Sequence, residues 1–242
     1  MKALVLFGSE SDKLVYNPLV ADLEKNYEVE FKVLSAHRDP EALRSKMMMD
    51  DFDFVVAGAG LAAHLPGVAA AMTKKPVFGI AVEAQFGGMD AVMSISQMPY
   101  GIPVGSLPPG DNTSMFDFLE KIQSLSLEEK KMINVLIEPN LLNYEYVNKE
   151  LDRLKVLASQ KNVELLINSK EALDSKNLCI QFVHDGEDIN TQKAALHIPL
   201  MDDSVRKKTN SAMTVQNWIE KGGLWFGVNN SRNALLFLEK WN

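Results

Sequence analysis

Short apolar runs, each closed by small or turn-forming residues, recur along the first half of the chain. Lys2–Phe7 ends at Gly8 and suits a strand buried on both faces. Residues 29–34 alternate apolar and polar, the pattern of a half-buried strand. Phe52–Ala57, Pro76–Val82 and Ile102–Leu107 supply further strands. Between them lie helical stretches. Ser11 or Asp12 can cap a helix running to about Lys25, and Asp39-Pro40-Glu41 places Pro at N1 of a helix to Met49. Ala62–Met72, Asp90–Gln97 and Ser114–Ser124 complete the set. Strands alternating with helices predict an α/β fold with a doubly wound parallel sheet, three-layer α/β/α and flavodoxin- or Rossmann-like.

Near residue 126 the pattern restarts. Ile133–Ile137, Val163–Ile167, Leu178–Val183 and Ala195–Leu200 read as strands, with a helix over Asn148–Ser159. Phe118-Leu119-Glu120-Lys121-Ile122 recurs as Phe237-Leu238-Glu239-Lys240-Trp241, an offset of 119 residues. The same offset carries Gln97 onto Gln216 and Gly105 onto Leu224. It also lays Gly110–Ser114 over Asn229–Asn233. Two tandem, diverged repeats are therefore expected, residues 1–125 and 126–242.

Composition narrows the function classes. The 242 residues carry a formal net charge of −7 and no dense basic patch, which argues against nucleic-acid binding. The single cysteine, Cys179, sits in an apolar run and reads as a small buried hydrophobe in a reducing compartment. The most apolar window, Val55–Met72, contains His64, Pro66 and three glycines, so no membrane span is expected. The opening apolar run is too short for a signal peptide, and the chain reads as soluble and cytoplasmic.

Three small-residue segments follow strands in the first half. Gly8-Ser9-Glu10-Ser11-Asp12 offers hydroxyls and backbone N–H groups to an anion, and Asp12 suits ligand hydroxyls such as a ribose. A plain capping turn would also explain it. Ser35-Ala36-His37-Arg38 sets an imidazole, which can carry a proton near neutral pH, beside a guanidinium that can hold a phosphate. The segment from Ala57 through Gly58, Ala59, Gly60, Leu61, Ala62, Ala63, His64 and Leu65 to Pro66-Gly67 lets backbone approach a ligand closely. Tight helix–sheet packing would equally account for its alanines. No Cys or carboxylate stands at ligand spacing to His37 or His64, so no metal is expected.

Together these segments resemble the PurE family, the N5-carboxyaminoimidazole ribonucleotide mutases of purine synthesis. GSESD is similar to that family's GSxSD loop, SAHR-x-P to its catalytic loop, AGAGLAAHLPG to AGAGGAAHLPG, and QMPYGIPV at Gln97–Val104 to QMPxGxPV. Leu61 stands where the family has glycine and Tyr100 where it often has arginine. The usual Asn-Ala helix start is missing after the fifth strand and reappears at Asn233-Ala234. The resemblance implies catalysis by His37 and a ribonucleotide substrate bound by Ser9, Ser11, Asp12 and Arg38. Ser35, Ala36 and the Gly58, Ala59, Ala62, Ala63, His64 and Leu65 stretch would line the base pocket. It implies no cofactor. It also implies an oligomer, since single-domain octamers in the family would become tetramers of two-repeat chains. Three alternatives stay open: carboxylation of aminoimidazole ribonucleotide by free CO2, a non-catalytic nucleotide-binding protein, and a carboxylase of another heteroaromatic nucleotide.

Overall fold

The computed structural model describes residues 1–169, 177–184 and 194–242. Strand β1 (Lys2–Phe7) pairs in parallel with β2 (Glu28–Val33) on one side and β3 (Phe54–Ala59) on the other. β4 (Val77–Ala81) and β5 (Gly105–Leu107) extend the parallel run. β3 and β4 are buried along their whole length, which explains their unbroken apolar runs. Helices α1 (Lys13–Leu23), α2 (Pro40–Met49), α3 (Leu65–Met72), α4 (Met89–Ser96) and α5 (Thr113–Ser124) alternate with these strands.

The second half is laid out alike. It comprises β6 (Met132–Leu136), α6 (Glu145–Gln160), β7 (Glu164–Asn168), β8 (Leu178–Val183) and β9 (Ala195–Pro199). Short α7 (Asp203–Arg206), α8 (Asn210–Ile219), β10 (Leu224–Trp225) and α9 (Ser231–Glu239) follow. Among the described residues the strands form one ten-stranded sheet in the order β2-β1-β3-β4-β5-β10-β9-β8-β6-β7. Counted inward from its edge, each half runs second, first, third, fourth, fifth strand. In each, the order reverses between the first and third strands, the place where open α/β sheets open a crevice at their carboxyl ends.

The sheet is not wholly parallel as expected, because β5 and β10 pair antiparallel through Ser106 and Trp225. The strands of the two halves therefore run in opposite directions, and their carboxyl ends emerge at opposite edges. Ser106 and Trp225 are separated by 119 residues, the offset read in the sequence. So are Phe118 and Phe237, whose rings pack with centroids 5.5 Å apart.

Several boundaries differ from expectation. α3 begins at Leu65 rather than Ala62, because Leu61 and Ala62 hold φ of 46° and 53°, which no right-handed helix accommodates. β3 starts at Phe54 instead of Phe52, α1 ends two residues before Lys25, and α6 starts at Glu145 rather than Asn148. Asp12 and Asp39 occupy N-cap positions without making a side-chain cap bond.

The edge strand β2 is tied to the fold by charge. Lys46, almost wholly buried, sits 2.7 Å from both Glu30 and Asp51, and Lys2 reaches the same carboxylates at 3.0 and 3.1 Å. Hydrogen bonding from Lys46 holds Glu30 and Asp51 down to about 2. A depressed carboxylate stabilises the fold above its unfolded pKa, and that contribution drains away as pH falls toward the folded value. The melting temperature should therefore fall steeply between about pH 5 and pH 2. A Lys46→Met variant should show a shallower acid limb in thermal melts; an unchanged slope would exclude this cluster as its cause.

Candidate active site

The three small-residue segments converge at the carboxyl edge of the first half. Gly8, closing β1, donates its N–H to Gly58 O at 3.2 Å, and Leu34, closing β2, donates to Phe7 O at 2.9 Å. Beyond Gly8, the Ser9 Oγ accepts the Ser11 N–H at 3.3 Å, while Ser11 Oγ lies 2.8 Å from Ser9 Oγ and 2.9 Å from Asp12 Oδ1. Burial raises the Asp12 carboxyl above its usual range, against the lowering effect of Ser11 and of the Arg38 charge.

In the second segment Ser35 is buried and acts as a brace. Its Oγ accepts the N–H groups of His37 at 3.3 Å and Arg38 at 3.2 Å, and its own N–H donates to Asp39 Oδ2 at 3.0 Å. Asp39 thus tightens this loop instead of capping α2. The brace leaves Ala36 half-buried and turns His37 and Arg38 outward into solvent. Arg38 Nη2 donates to Gly8 O at 2.6 Å, which ties the second segment to the first.

The third segment brings in His64. Its ring meets that of His37 edge-on, with centroids 5.0 Å apart and planes at 75°. Leu61 and Ala62 turn the chain through the left-handed region, and the Ala62 N–H is held by Asp90 Oδ2 at 2.9 Å. Leu61 therefore occupies a position where only glycine is free of strain. Two imidazoles, a guanidinium, a carboxylate and two hydroxyls are thereby gathered on one open edge.

Not every expected residue faces that edge with its side chain. Ala63 and Leu65 are each 2% exposed and belong to the core, so only their backbone is available to a ligand. Gly58 and Ala59 lie within β3, and a Cβ at Gly58 would collide with the Phe7 ring. Packing thus accounts for Gly58. Among the described residues no three His, Cys, Asp or Glu side chains gather to hold a metal ion.

Sequence reasoning missed two contributors. Asp90 reads only as an acidic residue at a helix start, yet it fixes the Leu61–Ala62 turn from another segment. After β4, Phe86 (75% exposed), Gly87 and Gly88 all hold positive φ on the same edge, an apolar turn that no motif announced.

The fourth motif does not join the other three. Gln97–Ile102 precedes β5 and so lies at the opposite edge, where the second half grips it. Asn233 Oδ1 accepts the Gly101 N–H and Asn233 Nδ2 donates to Pro99 O, both at 2.9 Å. Asn230 Nδ2 donates to Met98 O at 3.0 Å, and Gln97 Oε1 accepts the Val228 N–H at 3.1 Å. The guanidinium of Arg232 stacks 4.0 Å above the Tyr100 ring, so a cation reaches this loop from the other half of the chain.

A doubly wound sheet with an imidazole pair and a serine-rich loop at its switch point defines a flavodoxin-like α/β fold. The AIR carboxylase family model matches residues 2–136, and the chain belongs to that family. An N5-carboxyaminoimidazole ribonucleotide mutase of Methanocaldococcus jannaschii is 37% identical over 164 residues, 66% of this chain and 96% of that protein. The enzyme of that name from Vibrio parahaemolyticus is 44% identical over 117 residues, 46% of this chain and 72% of its own length. A phosphoribosylaminoimidazole carboxylase of Candida glabrata is 33% identical over 160 residues, 58% of this chain and 28% of that protein. Among the described residues, no helix is long and apolar enough to cross a membrane.

Proposed function

We propose that this chain is an N5-carboxyaminoimidazole ribonucleotide mutase, moving a carboxylate from the exocyclic nitrogen of the substrate to ring carbon C4. The observation that carries the reading is the pairing of His37 with His64 at 5.0 Å beside Arg38 and Asp12, in a family member 37% identical to such a mutase. Arg38 and the hydroxyls of Ser9 and Ser11 would hold the 5′-phosphate, and Asp12 the ribose. Arg38 would exchange its bond to Gly8 O for the phosphate oxygens, a stronger partner for a guanidinium.

His37 is the proton carrier. As the N–CO2 bond breaks, its imidazolium gives a proton to the exocyclic nitrogen and CO2 is released. C4 then attacks the trapped CO2 and forms the new C–C bond. The neutral imidazole takes the C4 proton, which restores both the aromatic ring and the imidazolium. One residue thus serves both proton steps without a net gain or loss. Ser35 and the Gly58–Leu65 backbone would border the base, with His64 as the second wall.

Turnover with purified N5-carboxyaminoimidazole ribonucleotide, free of added bicarbonate, is the expected result. Turnover only with aminoimidazole ribonucleotide plus bicarbonate would replace this reading with direct carboxylation, the activity named for the Candida relative.

Residues 126–242 read best as a diverged copy of the first half, with a structural or pocket-completing role toward the His37 site. The shared strand order and the Ser106–Trp225 and Phe118–Phe237 contacts support this. In solution the chain should be a tetramer, because His37, Leu61 and Phe86 all stand exposed at the site, and a pocket that must trap CO2 needs a cover. A monomeric mass by light scattering would remove the tetramer from the proposal.

A further inference from the structure

The carboxyl edge of the second half carries a cavity of about 820 Å³ that the chemistry of the first half does not use. It occupies the crevice position of its own half. His184 follows β8, Met201 follows β9, Asn229 follows β10, and Tyr144 and Tyr146 stand where α6 begins. This is where an open α/β sheet binds ligands, now at the edge opposite the His37 site.

Two features of the walls define the ligand. The first is aromatic. Tyr144 stacks on His184 with centroids 5.5 Å apart and planes at 16°, and Tyr146 lies over the same imidazole at 6.2 Å and 28°. Tyr144 also lies 5.6 Å from the Tyr146 ring, with planes at 39°, and remains 45% exposed, so part of its ring is open to a ligand. A flat heteroaromatic base extends such a stack favourably.

The second feature is a set of three cations placed among four carboxylates, Glu145, Glu150, Asp202 and Asp203, that line the same cavity. Lys149, Arg153 and Arg206 line the same space. Each has a carboxylate partner: Glu145 at 2.7 Å from Lys149, Asp203 at 2.7 Å from Arg206, and Glu150 at 3.5 Å from Arg153. Glu145 and Asp203 are 82% and 66% exposed, and pairs of that kind are weak enough for a phosphate dianion to displace. Glu150 is only 1% exposed and already committed. Its Oε1 accepts the N–H and the hydroxyl of Ser231 at 2.7 and 2.6 Å. Asp202 likewise spends its Oδ1 on the Ser204 N–H at 2.8 Å.

We propose that this cavity binds a mononucleotide, its base stacked on Tyr144 and its phosphate among Lys149, Arg153 and Arg206. The second half contains no Ser-Ala-His-Arg segment, so the role is binding and not turnover. The site stands independently of the reaction assigned to His37.

The test is isothermal titration of the full chain carrying Arg38→Ala, which silences the phosphate clamp of the first half. AMP, adenosine and ribose 5-phosphate serve as probes. AMP should bind once per chain, and adenosine and ribose 5-phosphate each about tenfold or more weaker. Adding Tyr144→Ala should weaken AMP about tenfold and leave ribose 5-phosphate unchanged, whereas Arg153→Ala should weaken ribose 5-phosphate and spare adenosine. Tyr144→Leu, which keeps the bulk, replaces the alanine variant if melting shows a damaged fold. Aminoimidazole ribonucleotide is titrated in parallel. Tighter binding than AMP would make the ligand the chain's own substrate class, and weaker binding a separate purine nucleotide; both support the site. No AMP binding at millimolar concentration, or binding unmoved by both second-half substitutions, overturns it.

Discussion

Replacing His37 by Asn should lower kcat by about a hundredfold to ten-thousandfold, the range typical of a lost general acid–base. The effect should fall on kcat and much less on KM, because Arg38, Ser9, Ser11 and Asp12 are left in place to hold the substrate. His37 is exposed, and its contribution to loop geometry runs through its backbone N–H, which bonds to Ser35 Oγ at 3.3 Å. The substitution keeps that bond, so melting temperature and circular dichroism should not move. Arg38→Ala provides the contrast. It removes the bond to Gly8 O and the proposed phosphate ligand, and should raise KM more than it lowers kcat. Undiminished turnover in His37→Asn would eliminate His37 as the proton carrier and return the chain to a nucleotide-binding role.

The largest stability effect should come from the far end of the chain. Phe237 on α9 is fully buried and packs against Phe78 of the first half at 5.3 Å, Phe118 at 5.5 Å and Phe226 at 5.5 Å between centroids. Trp241, just beyond α9, reaches Phe54 at 5.9 Å and Phe78 at 6.0 Å. Phe237→Ala removes a ring that both halves share and should cost about 3–5 kcal/mol. For a chain of this size that corresponds to a fall of roughly 10 °C in melting temperature. Phe237→Leu, which conserves most of the volume, should cost under about 1.5 kcal/mol. Because one core cluster runs from Ala3 to Leu238, melting should remain a single transition monitored at either half. Two separate transitions, with only the second displaced by Phe237→Ala, would show that the halves fold independently.

Much of this architecture could be read from periodicity. The unbroken runs of β1, β3 and β4 and the alternation of β2 follow from whether a strand is covered on two faces or lies at an edge. The three segments could be located because their small residues directly follow strands, at the edge where open α/β sheets form a crevice. Their chemistry could not be separated from packing by sequence alone. Gly58 is small on account of the Phe7 ring, while Ser35 is polar because it braces the loop.

What sequence could not convey was long-range or conformational. The left-handed turn at Leu61 and Ala62 carries no periodic signal, so the helix appeared to begin three residues early. Asp90 acts on Ala62 across 28 residues, and no local pattern encodes that bond. β10 is only two residues long, too brief to read as a strand, so the seam between the halves was invisible until the chain folded. The Gln97–Ile102 loop lies at the opposite edge because it precedes β5, but the grip of Asn230 and Asn233 on it depends on that seam.

The seam has a further consequence for how this chain can change over time. Since Phe118 touches Phe237 and Ser106 faces Trp225, a substitution at one member of such a pair is felt at its counterpart 119 residues away. The two halves can drift freely at their outer strands, β2 and β7, which lie at the two ends of the sheet away from the boundary. Along the shared boundary they must change in concert, as the coupling of residues in direct contact requires. Two halves joined in this way can differ widely in their outer segments and yet keep the boundary, because each depends on the other for part of its own interior.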